Sequence, residues 1–230
     1  MKQIIKTSVI VAMSVLSLNA VAEKMGNGQI TAKVSTMGLG VEYNHPINSV
    51  LSVGFGVNKF SKNKSFTESG IKYQGDVDFQ SASIIANYHP WKNGFRLRGG
   101  VYYNNNKINL TANSSTNNNI KIGDETFTGA DIALNGELSF KKFAPYIGIG
   151  YGSEPIGDNN LSFDLDIGVM SSPVKAQLTG TCAIGGVANA GICAASDFTS
   201  RLAKEQADLE KSTDGFDLYP VVSLGLSYRF

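Results

Sequence analysis

Past residue 22 the chain has no apolar run long enough to cross a bilayer as a helix, which excludes a helical span there. Histidine is scarce, with His45 and His89 only, and each stands beside a proline in a turn-like segment. A hydrolase built on a histidine base therefore has two candidates, and neither has a serine or aspartate partner at the lipid or outer rim. Cysteine is limited to Cys182 and Cys193, with no histidine near them, so a zinc site is not expected. Charge of either sign is nearly absent as an excess. The formal net charge is +1, and removing Lys2 and Lys6 with a leader takes it to −1. That balance offers nothing to nucleic acid.

What is present is alternation. The last segment runs from Leu218 to Phe230, with Val222, Leu224, Leu226, Tyr228 and Phe230 on one face and Ser223, Gly225, Ser227 and Arg229 on the other. A strand that carries one apolar face and aromatics at its tip fits a transmembrane barrel, where the apolar face meets lipid and the aromatics sit at the headgroups. Similar alternation marks Met37–Tyr43, Leu51–Val57, Ala82–Tyr88, Phe95–Tyr103, Ile147–Tyr151 and Leu161–Val169. A mean hydropathy of −0.06 is compatible with this, since half the residues of such strands face a polar lumen. An exported soluble β-sandwich would show the same period.

The first residues read as an export signal: Lys2 and Lys6, an apolar stretch over Ile4–Leu18, then the small-x-small pattern Ala20-Val21-Ala22. The expected organisation is a signal peptide over 1–22 and a barrel over 23–230. Connections alternate between short ones, such as Asn44–Ser49 and His89–Asn93, and long ones near Ser61–Gly75, Lys107–Thr128 and Ser171–Phe216. Short turns belong in the periplasm and long loops outside, so both termini are expected in the periplasm. An even barrel then needs a further strand at Ile30–Ser35, giving an up-and-down antiparallel transmembrane β-barrel of about eight strands. Within Ile132–Gly152 the apolar positions switch from even (Ile132, Leu134, Leu138, Phe140) to odd (Phe143, Ile147, Ile149). A bulge near Lys141–Phe143 is expected to absorb that slip.

Three segments carry a resemblance. Arg96–Asn104 reads Arg-Leu-x-x-Gly-x-Tyr-Tyr-Asn, Ala144–Gly150 reads Ala-Pro-Tyr-x-Gly-x-Gly, and Tyr219–Phe230 reads Tyr-Pro-Val-x-x-x-Gly-x-x-Tyr-x-Phe. In these the chain resembles small proteobacterial outer-membrane barrels. It is distantly similar to the carbapenem-resistance-associated ornithine-uptake barrel of Acinetobacter. The resemblance implies a Gram-negative outer-membrane location and raises uptake of small solutes. Its motifs are barrel motifs and name no active site.

With the apolar faces toward lipid, Glu42, Arg96, Arg98, Asp164 and Asp166 fall in the lumen, where opposite charges should pair. They can be read as a structural network or as a narrow polar path, the latter because many inward glycines leave room. Cys182 and Cys193 should form a disulfide in an oxidising compartment, inside a long extracellular loop over 171–216. A short helix is expected from Ser196, as cap, to Lys211, with Phe198, Leu202 and Leu209 as its stripe. This loop can plug the mouth or meet a partner. Gly148-Ile-Gly150-Tyr-Gly152 mimics a nucleotide loop but no helix follows, and no cofactor is expected.

The expected function is therefore an integral, non-enzymatic outer-membrane barrel. It is either a narrow channel for small polar solutes or a closed structural or surface-recognition barrel acting through its loops. Expected partners are outer-membrane lipid and lipopolysaccharide, and the barrel assembly machinery, with Tyr228 and Phe230 as its recognition end.

Overall fold

The computed structural model describes residues 27–68, 71–114, 120–122, 125–127, 130–156, 160–184, 187–188, 193–213 and 217–230. The expected leader lies outside them. Lipid offers no partner for a backbone amide or carbonyl, so spanning strands must close on themselves. They do so here. The ring runs through β1 (Gln29–Ser35), β2 (Gly38–Pro46), β3 (Leu51–Glu68), β4 (Ile71–Tyr88), β5 (Phe95–Asn104), β10 (Phe143–Gly152), β11 (Leu161–Ser171) and β14 (Leu218–Arg229). β14 pairs with β1 from Arg229 opposite Gln29 to Ser223 opposite Ser35, and this seam closes an antiparallel barrel of eight strands. Between β1 and β2 the turn is tight. Gly38 there has φ +102, and a side chain on it would strike the Lys59 carbonyl.

Two of the three segments expected as long loops are largely strand, and the third, Ser171–Phe216, is strand followed by helix, which corrects the sequence reading. β3 and β4 are 18 residues each, about 60 Å at the usual rise, and so project well past the membrane. β6 (Lys107–Ser114) continues β5, β9 (Asp131–Phe140) precedes β10, and β12 (Val174–Ile184) continues β11. With the short β13 (Val187–Ala188), they extend one side of the barrel wall outward in the order β3-β4-β6-β9-β12-β13, while β7 (Ile120–Ile122) and β8 (Glu125–Phe127) pair as a separate hairpin.

The expected irregularity near Lys141–Phe143 is present on one side only: from Phe140 to Tyr146 the chain takes six steps against four on its β11–β12 neighbour (Met170 to Val174), with Lys141 and Lys142 between the strands, whereas against β5 and β6 the count is equal. Tyr103 opposes Phe143 and Lys107 opposes Ser139, so four residues on one strand match four on the other across the junction. Both counts are even, so side-chain parity is the same on either side of the interruption, and what changes is the surroundings of each face. In the barrel, odd residues of β10 (Phe143, Ile147, Ile149) point out to lipid and even ones (Ala144, Tyr146) point in. In the extension the outward face is polar: Asn135, Glu137 and Ser139 on β9, and Lys175, Gln177 and Thr179 on β12. The inward face is apolar, with Ile132, Leu134 and Cys182 among its members.

That inward face is covered by α1 (Ala195–Thr213), which is longer than the short helix expected. Phe198 is buried against Ile71, Ala130, Ile132, Cys182 and Cys193, with Leu202 packed alongside. The Ser196 side chain, the expected cap, is outside the described set. A disulfide joins Cys182 on β12 to Cys193 just before α1. With a separation of 11 residues, this closure is worth about 3 kcal/mol against the unfolded loop. Replacing both cysteines by serine should make the α1 segment cleavable at lower protease concentration. Heat-modifiable gel mobility of the barrel should be unchanged.

Candidate functional site

Strand parity aims six charged side chains into the lumen, three of each sign, and the structure links them in one chain: Lys33–Glu42–Arg98–Asp166–Arg96–Asp164. The Glu42 carboxylate accepts from Lys33 Nζ at 2.5 Å and from Arg98 Nη2 at 2.5 Å. Arg98 also pairs with Asp166, and its Nε donates to Asn87 Oδ1 at 2.9 Å. Arg96 Nη2 lies 2.5 Å from Asp166 Oδ1 and pairs with Asp164 too. The remaining carboxylate lone pairs are met by neutral donors. Ser227 Oγ donates to Asp164 Oδ2 at 2.7 Å, Gln29 Nε2 donates to the same atom at 3.1 Å, and Ser223 Oγ donates to Asp166 Oδ2 at 3.2 Å. Every member of the chain is buried, so each charge depends on its partners.

All five lumen residues singled out from sequence meet here. Lys33 was missed, although the parity of Thr31, Lys33 and Ser35 opposite Ile30, Ala32 and Val34 placed it inward. Asn87, Ser223 and Ser227 were missed as well, because their role needs the register.

The inward glycines do not leave a passage, and this corrects the expectation of spare room. A side chain on Gly54 would meet Asn44 and Glu42, one on Gly150 would meet Asp166 and Arg96, and one on Gly168 would meet the Tyr146 ring. The glycines make room for the network itself. Toward the extension the lumen is filled by Met37, Ile85, Tyr102, Ala144, Tyr146, Met170 and Val221. The Tyr102 and Tyr146 rings meet edge to face at 5.4 Å. Between this plug and the ion chain the gap is too small for a water molecule. Beyond the plug an aromatic row crosses the inner wall from Phe60 through Phe79 and Phe140 to Tyr219, with centroid separations of 6.2, 6.2 and 6.4 Å.

At the opposite end, a cavity of about 630 Å³ opens beside the short turns, lined by Asn44, Asn87, His89, Lys92, Arg96 and Arg229 among others. His89 lies in a turn outside the spanning strands. Partial burial, and then the positive Arg96 and Arg229, hold its imidazole below its usual pKa. His45 is on β2, not in a turn, and its Nδ1 is 3.2 Å from the Tyr43 hydroxyl. Tyr228 and Phe230 sit at the β14–β1 seam, where Phe230 stacks near Tyr43 at 6.4 Å. Among the described residues no group of three His, Cys, Asp or Glu side chains is placed to hold a metal ion.

No protein-family model and no curated protein matches the chain. Among solved structures it is similar to CarO2 of Acinetobacter baumannii, with a TM-score of 0.58 and 23% identity, covering 89% of this chain and 98% of that one. It is also similar to CarO of the same organism, with a TM-score of 0.50 and 21% identity, covering 88% and 97%. At these identities the likeness establishes the fold alone: a closed antiparallel β-barrel of the outer-membrane type.

Arg98→Met cuts the chain in its middle, leaving Glu42 with Lys33 alone and Asp166 with Arg96 alone, and should cost about 3 kcal/mol in urea unfolding from lipid vesicles. Breaking the exposed Lys107–Glu137 pair, at 3.5 Å, should cost under about 1 kcal/mol in the same assay. His89 gives a pH signature. Its folded pKa is lowered, so stability is level above the ordinary value near 6.5, falls as pH drops from there to the folded value, and levels below it. Thermal unfolding of His89→Gln across pH 7 to 5 should show a shallower fall than the wild type.

Proposed function

We propose that this protein is a non-enzymatic outer-membrane barrel with a sealed lumen, oriented with its short turns and both termini in the periplasm. Its working surface is the extracellular extension with the disulfide-tied α1. The observation that carries this reading is the double closure of the lumen. The ion chain fills one level and the Tyr102–Tyr146–Met170 plug fills the next, with no water-sized gap between them. Eight strands give a lumen that side chains can fill, and here they fill it. The outward polar face of the extension supports its exposure to water rather than lipid. Tyr228 and Phe230, at the closing seam, are the proposed contact for the assembly machinery.

A second reading, passage of small polar solutes, draws on the cavity of about 630 Å³ that leads to Arg96 from the short-turn end. It requires the network and the plug to part. Planar-bilayer recording separates the two. The wild-type protein should be electrically silent once insertion is confirmed by heat-modifiable mobility. Tyr102→Ala/Tyr146→Ala combined with Arg96→Ala/Arg98→Ala, which removes both closures, should show discrete openings. Openings in the wild type would favour passage and overturn the sealed barrel.

A further inference from the structure

The lipid-facing side of β2 to β5 is not smooth. Val41, Val57, Ala82 and Tyr103 are successive cross-strand partners in one outward row, and alanine is the small member. With Leu39 they wall a recess of about 640 Å³. The next row toward the extension is polar, and Lys59, Gln80 and Asn105 form the rim of the same recess. Lys59 opposes both Leu39 and Gln80, and the Asn105 amide donates to the Gln80 carbonyl at 2.9 Å. Continuing the Tyr103–Phe143 register by two residues adds Lys141, which is exposed. Between Lys59 and Lys141 the row holds no carboxylate. Asp78 lies one row further out opposite Lys107, and Glu137 is paired with Lys107.

This recess sits where the outward face changes from apolar to polar, which is the height of lipid headgroups. Its floor is in the hydrocarbon, so whatever fills it is a lipid chain rather than water. The two rim lysines stand three strand spacings apart, about 14 Å. A headgroup with two well-separated phosphates can meet both, and a headgroup with one phosphate meets only one. We infer that the recess holds an acyl chain of a bis-phosphorylated, multiply acylated glycolipid of the lipid A class, with Lys59 and Lys141 at its two phosphates. This rests on the orientation proposed above, which puts the recess in the outer leaflet.

Native mass spectrometry of the purified barrel tests it, with bis-phosphorylated lipid A, its monophosphorylated form and phosphatidylglycerol as separate probes. The expected retention is highest for the first and lowest for the last. Ala82→Leu obstructs the floor of the recess and should cut lipid A retention about tenfold. Lys59→Gln/Lys141→Gln should bring the bis-phosphorylated form down to the level of the monophosphorylated one. All these side chains point outward, so gel mobility should confirm an intact barrel in each variant. Equal retention of lipid A and phosphatidylglycerol, or no effect of Ala82→Leu, overturns the proposal. Protease added to intact cells reads the orientation separately. Cleavage at α1 without lipid A retention removes the lipid site alone. Protection of α1 from external protease in the Cys182→Ser/Cys193→Ser variant, with cleavage after cell lysis, removes the orientation, and with it the outer leaflet as the source of the lipid.

Discussion

The structure depends on one constraint: the strands pass from lipid into water with their side-chain parity unchanged. In lipid every backbone polar group must be paired within the protein, which forces the closed ring and its β14–β1 seam. The outward face must then be apolar and the inward face polar. Once the strands leave the bilayer the demand reverses. Water takes the outward face, and the inward face is left to form a core of its own. The change falls at one level on several neighbouring strands, near Lys59 on β3, Gln80 on β4, Asn105 after β5 and Lys141 before β10.

Both faces of that division need a partner, and the molecule supplies each differently. Inside the bilayer the inward charges are largely cut off from bulk water, so they form a chain of equal numbers of cations and anions, with serine, Asn44 and glutamine donating to the remaining carboxylate lone pairs. Such a chain adds less to stability than its short distances suggest, since desolvation offsets much of the attraction. It does make each member costly to remove. Outside the bilayer the inward apolar face is closed by α1, whose Phe198 reaches the cluster around Ile132 and Cys182, and the disulfide fixes where that helix starts. The closed lumen and the core of the extension are thus two answers to one change of solvent.

The barrel was legible in the sequence because lipid imposes a strict period of two. β11 and β14 carry it almost without exception, from Leu161 to Val169 and from Val222 to Tyr228. The same parity put Glu42, Arg96, Arg98, Asp164 and Asp166 in the lumen, although which acid meets which base depended on register. The extension was not legible. Residues such as Lys62–Lys64 on β3 and Lys107–Asn113 on β6 look like solvated loop because their outward face is polar and their inward apolar residues are few. The switch of apolar parity in Ile132–Gly152 was seen but assigned to a bulge. A slip in the chain and a change of surroundings leave the same trace in one strand, and only the pairing with β5 and β6 tells them apart. The inward glycines misled for a related reason. Gly54, Gly150 and Gly168 look like empty space until their neighbours' side chains are placed.

The most direct test of this account is a nitroxide accessibility scan along β9 and β10, one label at a time from residue 131 to 151, in lipid vesicles. The account predicts that odd positions stay outward throughout. Their collision partner should change from a water-soluble relaxation agent above Lys141 to lipid-dissolved oxygen below it. A change of parity at Lys141–Lys142, with even positions outward above and odd positions outward below, would contradict it.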